Sequence, residues 1–186
     1  MHDGHVRRIE RRRVTVEVKQ QDGSLDVEHR EYETTHLGPV IHRTNDRVFV
    51  VRSVNVEWLR QYEGFFELMH VDSLDEFRSV LGRRLMVTSN YTYADVDGNI
   101  LYIWNARLPR RSDAMADYGL DVPGDTDRFL WKGVHRLRDL PSLLNPRGGY
   151  VQNANNPPWW TSLRDTIDPA RYPAYIEQGA LSLRAQ

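Results

Sequence analysis

Alternation of apolar and polar residues dominates the first third of the chain. Val14, Val16 and Val18 recur at every second position between Arg11 and Gln20, the period of a strand with one face covered. Asp22-Gly23 marks a turn, and Leu25 to Thr35 resumes an extended pattern. His36-Leu-Gly-Pro39 interrupts it and Val40-Ile41 follows. Arg47 to Val54 is then a β-branched and aromatic run of the length of a buried strand. Up to about residue 55 the pattern predicts an antiparallel β set.

The period then changes. Trp58, Tyr62, Phe65, Phe66 and Met69 fall at three- and four-residue spacing, an apolar helical stripe. Core packing is the ordinary use of such a stripe, and the wall of a ligand pocket is the alternative. Ser73-Leu-Asp-Glu76 is a capping box that opens a second helix, with Leu74, Phe77, Val80 and Leu81 on one face and Gly82 as its stop. From Leu85 to Ala106 the alternation returns as a hairpin, for which Asp97-Gly98 is a two-residue turn signal. Asp95-Val-Asp-Gly-Asn99 resembles a calcium loop only superficially. Gly98 directly follows the second Asp, and Trp104 stands where the loop needs its Glu. Pro109 to Phe129 reads as a long surface connection, and Arg138 to Leu144 as a short apolar turn.

Both ends read as interrupted. A strand begins almost at the first residue, and Gly179 to Gln186 opens a helix, with Ser182 as one cap, that stops within two turns. The expectation is a single segment, residues 1–186, cut from a larger domain. Composition is that of an ordinary soluble protein, with 40% hydrophobic and 27% charged residues. With 25 basic and 26 acidic residues, the net charge of −1 gives no reason to expect nucleic acid or membrane as a partner. Arg7, Arg8, Arg11, Arg12 and Arg13 form a basic cluster, which Glu10, Glu17, Asp26 and Glu28 are expected to answer. No cysteine is present, so disulfides and thiol chemistry are excluded. No apolar run reaches the ~20 residues of a membrane span. Met-His-Asp-Gly-His5 lacks the apolar stretch of a signal peptide.

Candidate chemistry concentrates in Arg147-Gly-Gly-Tyr-Val-Gln-Asn-Ala-Asn-Asn-Pro-Pro-Trp159. Two glycines allow close backbone approach, four amide side chains follow, and two prolines end any regular pairing. A primary amide is uncharged yet offers two N–H donors, suited to stabilising a developing oxyanion. A polar turn that satisfies itself is the alternative, since Asn and Pro both favour turns. Other catalytic templates fail. The seven histidines never take metal spacing, and there is no Gly-x-Ser-x-Gly elbow and no phosphate-binding glycine loop. What remains is amide and guanidinium chemistry without an evident nucleophile.

Gly149-Tyr-Val-Gln-Asn-Ala-Asn-Asn-x-Pro-Trp159 resembles the oxyanion-hole segment of the penicillin acylase family, which includes the acyl-homoserine-lactone acylases. Upstream motifs resemble it in order: His36-x-Gly-Pro-Val40, Tyr91 to Tyr102 with Gly98-Asn-Ile, Asn105-Ala-Arg-Leu-Pro-Arg-Arg111, and Val122-Pro-Gly-Asp with Trp131-Lys-Gly133. Leu140-Pro, Asn145-Pro and the closing Leu181-Ser-Leu-Arg-Ala-Gln186 complete the series. The resemblance implies an α+β fold: part of an N-terminal nucleophile hydrolase four-layer α-β-β-α sandwich, mainly antiparallel, with two or more helices flanking the substrate cleft. The aromatic stripe would there border an acyl-binding pocket.

The resemblance further implies hydrolysis of a linear amide by a serine freed at a chain terminus. Its own α-amine, with a pKa near ~8, serves as the base. By motif position the oxyanion Asn is Asn155 and the supporting Arg is Arg184. The first residue is Met1 rather than Ser, so the serine, a nearby His and the backbone donor are expected before residue 1, and the isolated chain is expected to be inactive. Asn153 and Asn156, as turn-shaping neighbours, are expected to matter less than Asn155. Partners implied are a small N-acyl substrate and the remainder of the acylase α and β chains. No cofactor is expected in catalysis, a structural calcium is left open for the full-length protein, and the family suggests a periplasmic or secreted location. The alternative is a non-catalytic β-rich binding module that keeps the scaffold.

Overall fold

The computed structural model describes residues 2–54, 60–111 and 117–176, which fall into two compact units. Trp58 lies outside the described residues, as do Arg184 and the predicted closing helix with Ser182. The fold is α+β, with two antiparallel sheets and two α-helices among the described residues.

Unit 1 comprises residues 1–56 and 115–130. Its sheet is a meander in the order β1 (Glu10–Lys19), β2 (Leu25–Thr35), β3 (Gly38–Arg43) and β4 (Val48–Val50). The first hairpin pairs Glu10 with Thr34 through to Lys19 with Leu25. Asp22 closes its turn by accepting from the Ser24 N–H at 2.9 Å and hydroxyl at 2.6 Å, while Gly23 takes φ +87°. The alternation of Val14, Val16 and Val18 survives as strand geometry but only partly as burial: Val14 and Val18 are half-buried and Val16 is exposed. Leu25, Val27, Tyr32 and Ile41 of this sheet are exposed as well. The arginine cluster is answered by residues directly opposite in the register rather than by those the sequence suggested. Arg11 meets Glu33 at 3.0 Å and Arg13 meets Glu31 at 2.8 Å, while Arg43 reaches Glu33 at 2.6 Å. β4 is shorter than predicted. The Val51 N–H already bonds Pro39 O at 3.1 Å, at the very start of β3, so the pairing partner runs out.

Asp3 and Gly4 both take positive φ, 44° and 77°, and close a two-residue turn in which His2 and His5 exchange backbone hydrogen bonds. The His2 ring then reaches Gly124 O through Nδ1 and Asp127 Oδ1 through Nε2, each at 2.9 Å. A carbonyl and a carboxylate both accept, so the two bonds together need both ring protons, the imidazolium form. The bond to Gly124 O, followed by that to Asp127, raises the His2 pKa above 6.5, whereas burial first, then the charge of His2, lowers that of His36 at 4.7 Å. A raised folded-state pKa places this contribution fully below pH 6.5, and it fades as pH rises through the higher folded value. An NMR titration should therefore find His2 titrating above 6.5, with Asp127 shifts following the same curve. A His2 midpoint at or below 6.5 would refute the charged clamp.

Unit 2 comprises residues 57–114 and 131–186. Its sheet runs β5 (Thr88–Ala94), β6 (Ile100–Ala106), β7 (Ser142–Leu144), with α1 (Gln61–Leu68) and α2 (Leu74–Gly82) before it. Ser73 caps α2 as expected, its hydroxyl accepting from the Glu76 N–H at 3.3 Å; the Glu76 carboxylate turns back to the Asp72 N–H at 2.9 Å. Phe77 and Leu81 bury against Leu85, Met86, Leu101 and Ile103. α1 differs from the packed helix predicted. Its one buried residue is Gly64, where a Cβ would come within 2.1 Å of Met86 Sδ, and Tyr62, Phe65, Phe66 and Met69 are exposed. The glycine lets the backbone approach closely, and the aromatic stripe faces away from that contact.

The central strand β6 is buried almost throughout, which its unbroken apolar run Ile100 to Trp104 requires. Leu101 and Ile103 serve the α2 side; Tyr102 packs on the opposite face with Trp159, Ile167 and Ile176. The β5–β6 turn is wider than the two-residue form predicted. Gly98 N–H bonds Asp95 O at 3.2 Å, Gly98 takes φ +86°, and Asp95 N–H bonds Asn99 O at 3.2 Å. The Asp95 carboxylate is occupied inside this turn by Tyr93 and by Asn99. The stretch read as an apolar turn, residues 138–144, is a 3₁₀ turn at Leu137–Asp139 followed by β7, which pairs Leu101 with Leu144. Among the described residues no helix is long and apolar enough to cross a membrane.

Candidate active site

The amide-rich segment is a closed loop on the Tyr102 face of the sheet in unit 2. Its ends are stapled: Gln152 N–H bonds Thr161 O at 2.8 Å, and the Thr161 hydroxyl returns to Gln152 O at 2.8 Å. Upstream, Arg147 Nε holds Asp165 at 2.8 Å, which keeps that carboxyl below its usual range, and Gly149 takes φ +69°. Downstream, Pro158 and Trp159 are buried, and Trp159 stacks near Tyr172 at 5.8 Å.

Inside the loop three asparagines do different things. Asn153 Oδ1 accepts the Asn155 N–H at 2.9 Å, and its Nδ2 donates to Asn156 O at 3.1 Å and to the Tyr102 hydroxyl at 3.4 Å. Asn156 is buried, accepting the Ala154 N–H at 2.9 Å and donating to Pro157 O at 3.0 Å. These two side chains make the self-satisfied turn that composition alone suggested. They hold Asn155 at φ +61°, a left-handed conformation Asn tolerates, with its side chain exposed. Asn155 lines a cleft of about 530 Å³ together with Asn153, Thr88, Ser89, Asn90, Thr92, Trp104 and Asn105.

Strand register explains part of that lining, Thr88, Asn90, Thr92 and Trp104, though not Ser89 and Asn105. Thr88, Asn90 and Thr92 lie opposite Ala106, Trp104 and Tyr102, so alternate residues of β5 face the loop. This polar alternation was readable in the sequence, between runs of buried residues, but had no meaning without the loop above it. Within this lining, Asn105 is buried and accepts a hydrogen bond from Arg84. Burial first, then Arg107, lowers Arg84 to about 10, so it stays cationic at neutral pH. None of the eight cleft-lining residues is an acid, a base or a histidine. Among the described residues the cleft therefore offers amide and hydroxyl donors.

A second cleft of about 340 Å³, lined by Phe66, His70, Val71 and Val80 among others, lies along α1 and α2 and does not include Asn155. Among the described residues, the acid and histidine group spaced to hold a metal is His2, Asp3 and Asp127. Both ring nitrogens of His2 are already engaged there, which disfavours a metal.

Comparison with known proteins gives this geometry a context. Over 72 residues, 39% of this chain and 8% of the relative, it is 42% identical to penicillin G acylase of Escherichia coli. It is 26% identical to acyl-homoserine lactone acylase PvdQ of Pseudomonas putida over 181 residues, covering 84% of this chain and 23% of that protein. Among solved structures, a thermostable penicillin G acylase from Alcaligenes faecalis matches with a TM-score of 0.65 and 25% identity, over 94% of this chain and 30% of that one. The chain thus spans less than a third of the length of each of these relatives. The penicillin amidase family matches residues 1–186 from end to end, and the chain belongs to that family.

Proposed function

We propose that this chain forms part of the catalytic subunit of an N-acyl amide hydrolase and supplies the amide half of its active site. The observation that carries this is the exposed Asn155 side chain at the cleft, on a turn fixed by Asn153 and Asn156. In this reading a serine from outside residues 1–186 adds its Oγ to the substrate's amide carbon while its α-amine takes the proton. The carbonyl oxygen becomes an oxyanion, to which Asn155 Nδ2 donates. Collapse expels the amine, which leaves with the proton, and water then hydrolyses the acyl-enzyme. Arg184 supports Asn155 and the α-amine. The described cleft lining supplies amide and hydroxyl donors, which fits that division of labour. No catalytic cofactor is invoked, and a structural calcium elsewhere in the full-length protein carries no step. The substrate class is an N-acyl compound, either a β-lactam side-chain amide or an acyl-homoserine lactone.

The test compares the full-length protein with residues 1–186 alone on a panel of chromogenic acyl amides and acyl-homoserine lactones. The full-length protein should hydrolyse at least one of them, and the isolated chain none above background. Turnover by the isolated chain at the full-length rate would overturn the division of labour. Inertness of a folded full-length protein towards the whole panel would favour a binding module.

A further inference from the structure

We propose that Tyr102 is a positioning residue for Asn155, acting through Asn153; this rests on the oxyanion reading of Asn155 above. Tyr102 is fully buried on β6, and its ring is held by Trp159, Ile167 and Ile176. Its hydroxyl donates to Asn90 Oδ1 at 2.8 Å, so its single proton is committed towards β5. That leaves an oxygen lone pair for Asn153 Nδ2, at a long 3.4 Å. The same Asn153 side chain accepts the Asn155 N–H through its other end. Asn90, Tyr102, Asn153 and the Asn155 backbone thus form one chain from the sheet to the turn.

The orientation of this chain is what makes it useful. A primary amide whose N and O ends are both engaged cannot rotate about χ2 without losing both sets of partners. Fixing the Asn153 amide plane therefore fixes where its Oδ1 meets the Asn155 N–H. The turn holds Asn155 in a left-handed conformation that few residues adopt, and so depends on that support. A donor for a transition-state oxyanion acts through placement, and displacements near 1 Å can cost on the order of 100-fold in rate. β6 is buried on both faces, so it is the natural reference for the loop.

Tyr102→Phe in the full-length enzyme removes the hydroxyl and keeps the ring. It should lower kcat by about 10- to 100-fold with KM nearly unchanged. Hydrogen exchange at the Asn155 amide should quicken in the same enzyme. In an Asn155→Ala background the substitution should cost less than about 2-fold, because the group it positions is gone. Should Tyr102→Phe not accumulate as folded protein, Asn90→Ala removes the acceptor of the tyrosine proton together with one cleft-lining amide, so its dependence on Asn155 rather than its size is the readout. Its loss should show the same dependence on Asn155. A full kcat in Tyr102→Phe, or an equal loss in both backgrounds, would overturn the positioning role and leave the oxyanion reading standing. Full activity of Asn155→Ala would instead overturn the oxyanion reading on which it rests.

Discussion

On the oxyanion role proposed for Asn155, Asn155→Ala in the full-length protein should lower kcat by about 100- to 1,000-fold and leave KM within a few-fold of wild type. The oxyanion exists only in the transition state, so a donor aimed at it contributes little to substrate binding. The exposed Asn155 side chain makes no contribution to a core, so the variant should fold, at a cost of about 1 kcal/mol for placing Ala at φ +61°. Steady-state kinetics with one acyl amide, with circular dichroism as the folding control, reads both quantities. A severe loss of folded protein, or a kcat within ten-fold of wild type, would each refute the assignment.

The flanking asparagines should separate from Asn155 by the kind of damage they do. Sequence alone suggested that they matter less, as ordinary turn residues. Asn156 is nearly inaccessible and holds both Ala154 N–H and Pro157 O. Truncating it removes both of these buried hydrogen bonds, at a cost of about 1–3 kcal/mol. Its Ala variant should therefore lose stability through broken buried hydrogen bonds as well as rate, whereas Asn155→Ala loses mainly rate, its stability cost being the roughly 1 kcal/mol of Ala at φ +61°. Asn153→Ala should resemble Tyr102→Phe and be more severe, since Asn153 is where three hydrogen bonds meet.

Local signals in the sequence were followed where local physics decides the outcome. The Ser73 cap, the Phe77 and Leu81 face and the Gly82 stop of α2 appear as the pattern predicted. The β1–β2 hairpin forms around Asp22-Gly23 for the same reason. Departures occur where distant chain decides. β7 is three residues long and exists only by pairing with β6, some 40 positions earlier in the chain. The exposed stripe of α1 reads as a packing face in sequence, yet Gly64 rather than the aromatics makes its close contact. Asn155 was legible as a motif, and its cleft was not. Thr88, Asn90, Thr92 and Trp104 acquire meaning only when β5–β6 register and the loop place them together. Tyr102 was hidden most completely, inside an apolar run whose burial gave no hint of what its hydroxyl does.

Gly38→Ala should be among the most disruptive small substitutions in unit 1. Gly38 begins β3 with φ +143°, and a Cβ built there would stand 2.1 Å from Val51 O, a backbone atom that cannot swing aside. The unfavourable dihedral costs about 1–3 kcal/mol. Relieving the overlap costs a further 1–3, roughly, because β4 must shift. A local loss of about 3 kcal/mol or more would raise opening of the β3–β4 pair more than 100-fold, read by hydrogen exchange at the Val51 amide that bonds Pro39 O. Gly23→Ala isolates the dihedral contribution. Gly23 has φ +87° but nothing within 4 Å of the added carbon, so its cost should stay near 1–2 kcal/mol. If the Val51 amide stays as protected in Gly38→Ala as in the wild type, the close approach of β3 to Val51 is wrong. If both glycine variants open their own turns equally, conformation rather than contact sets the requirement at residue 38.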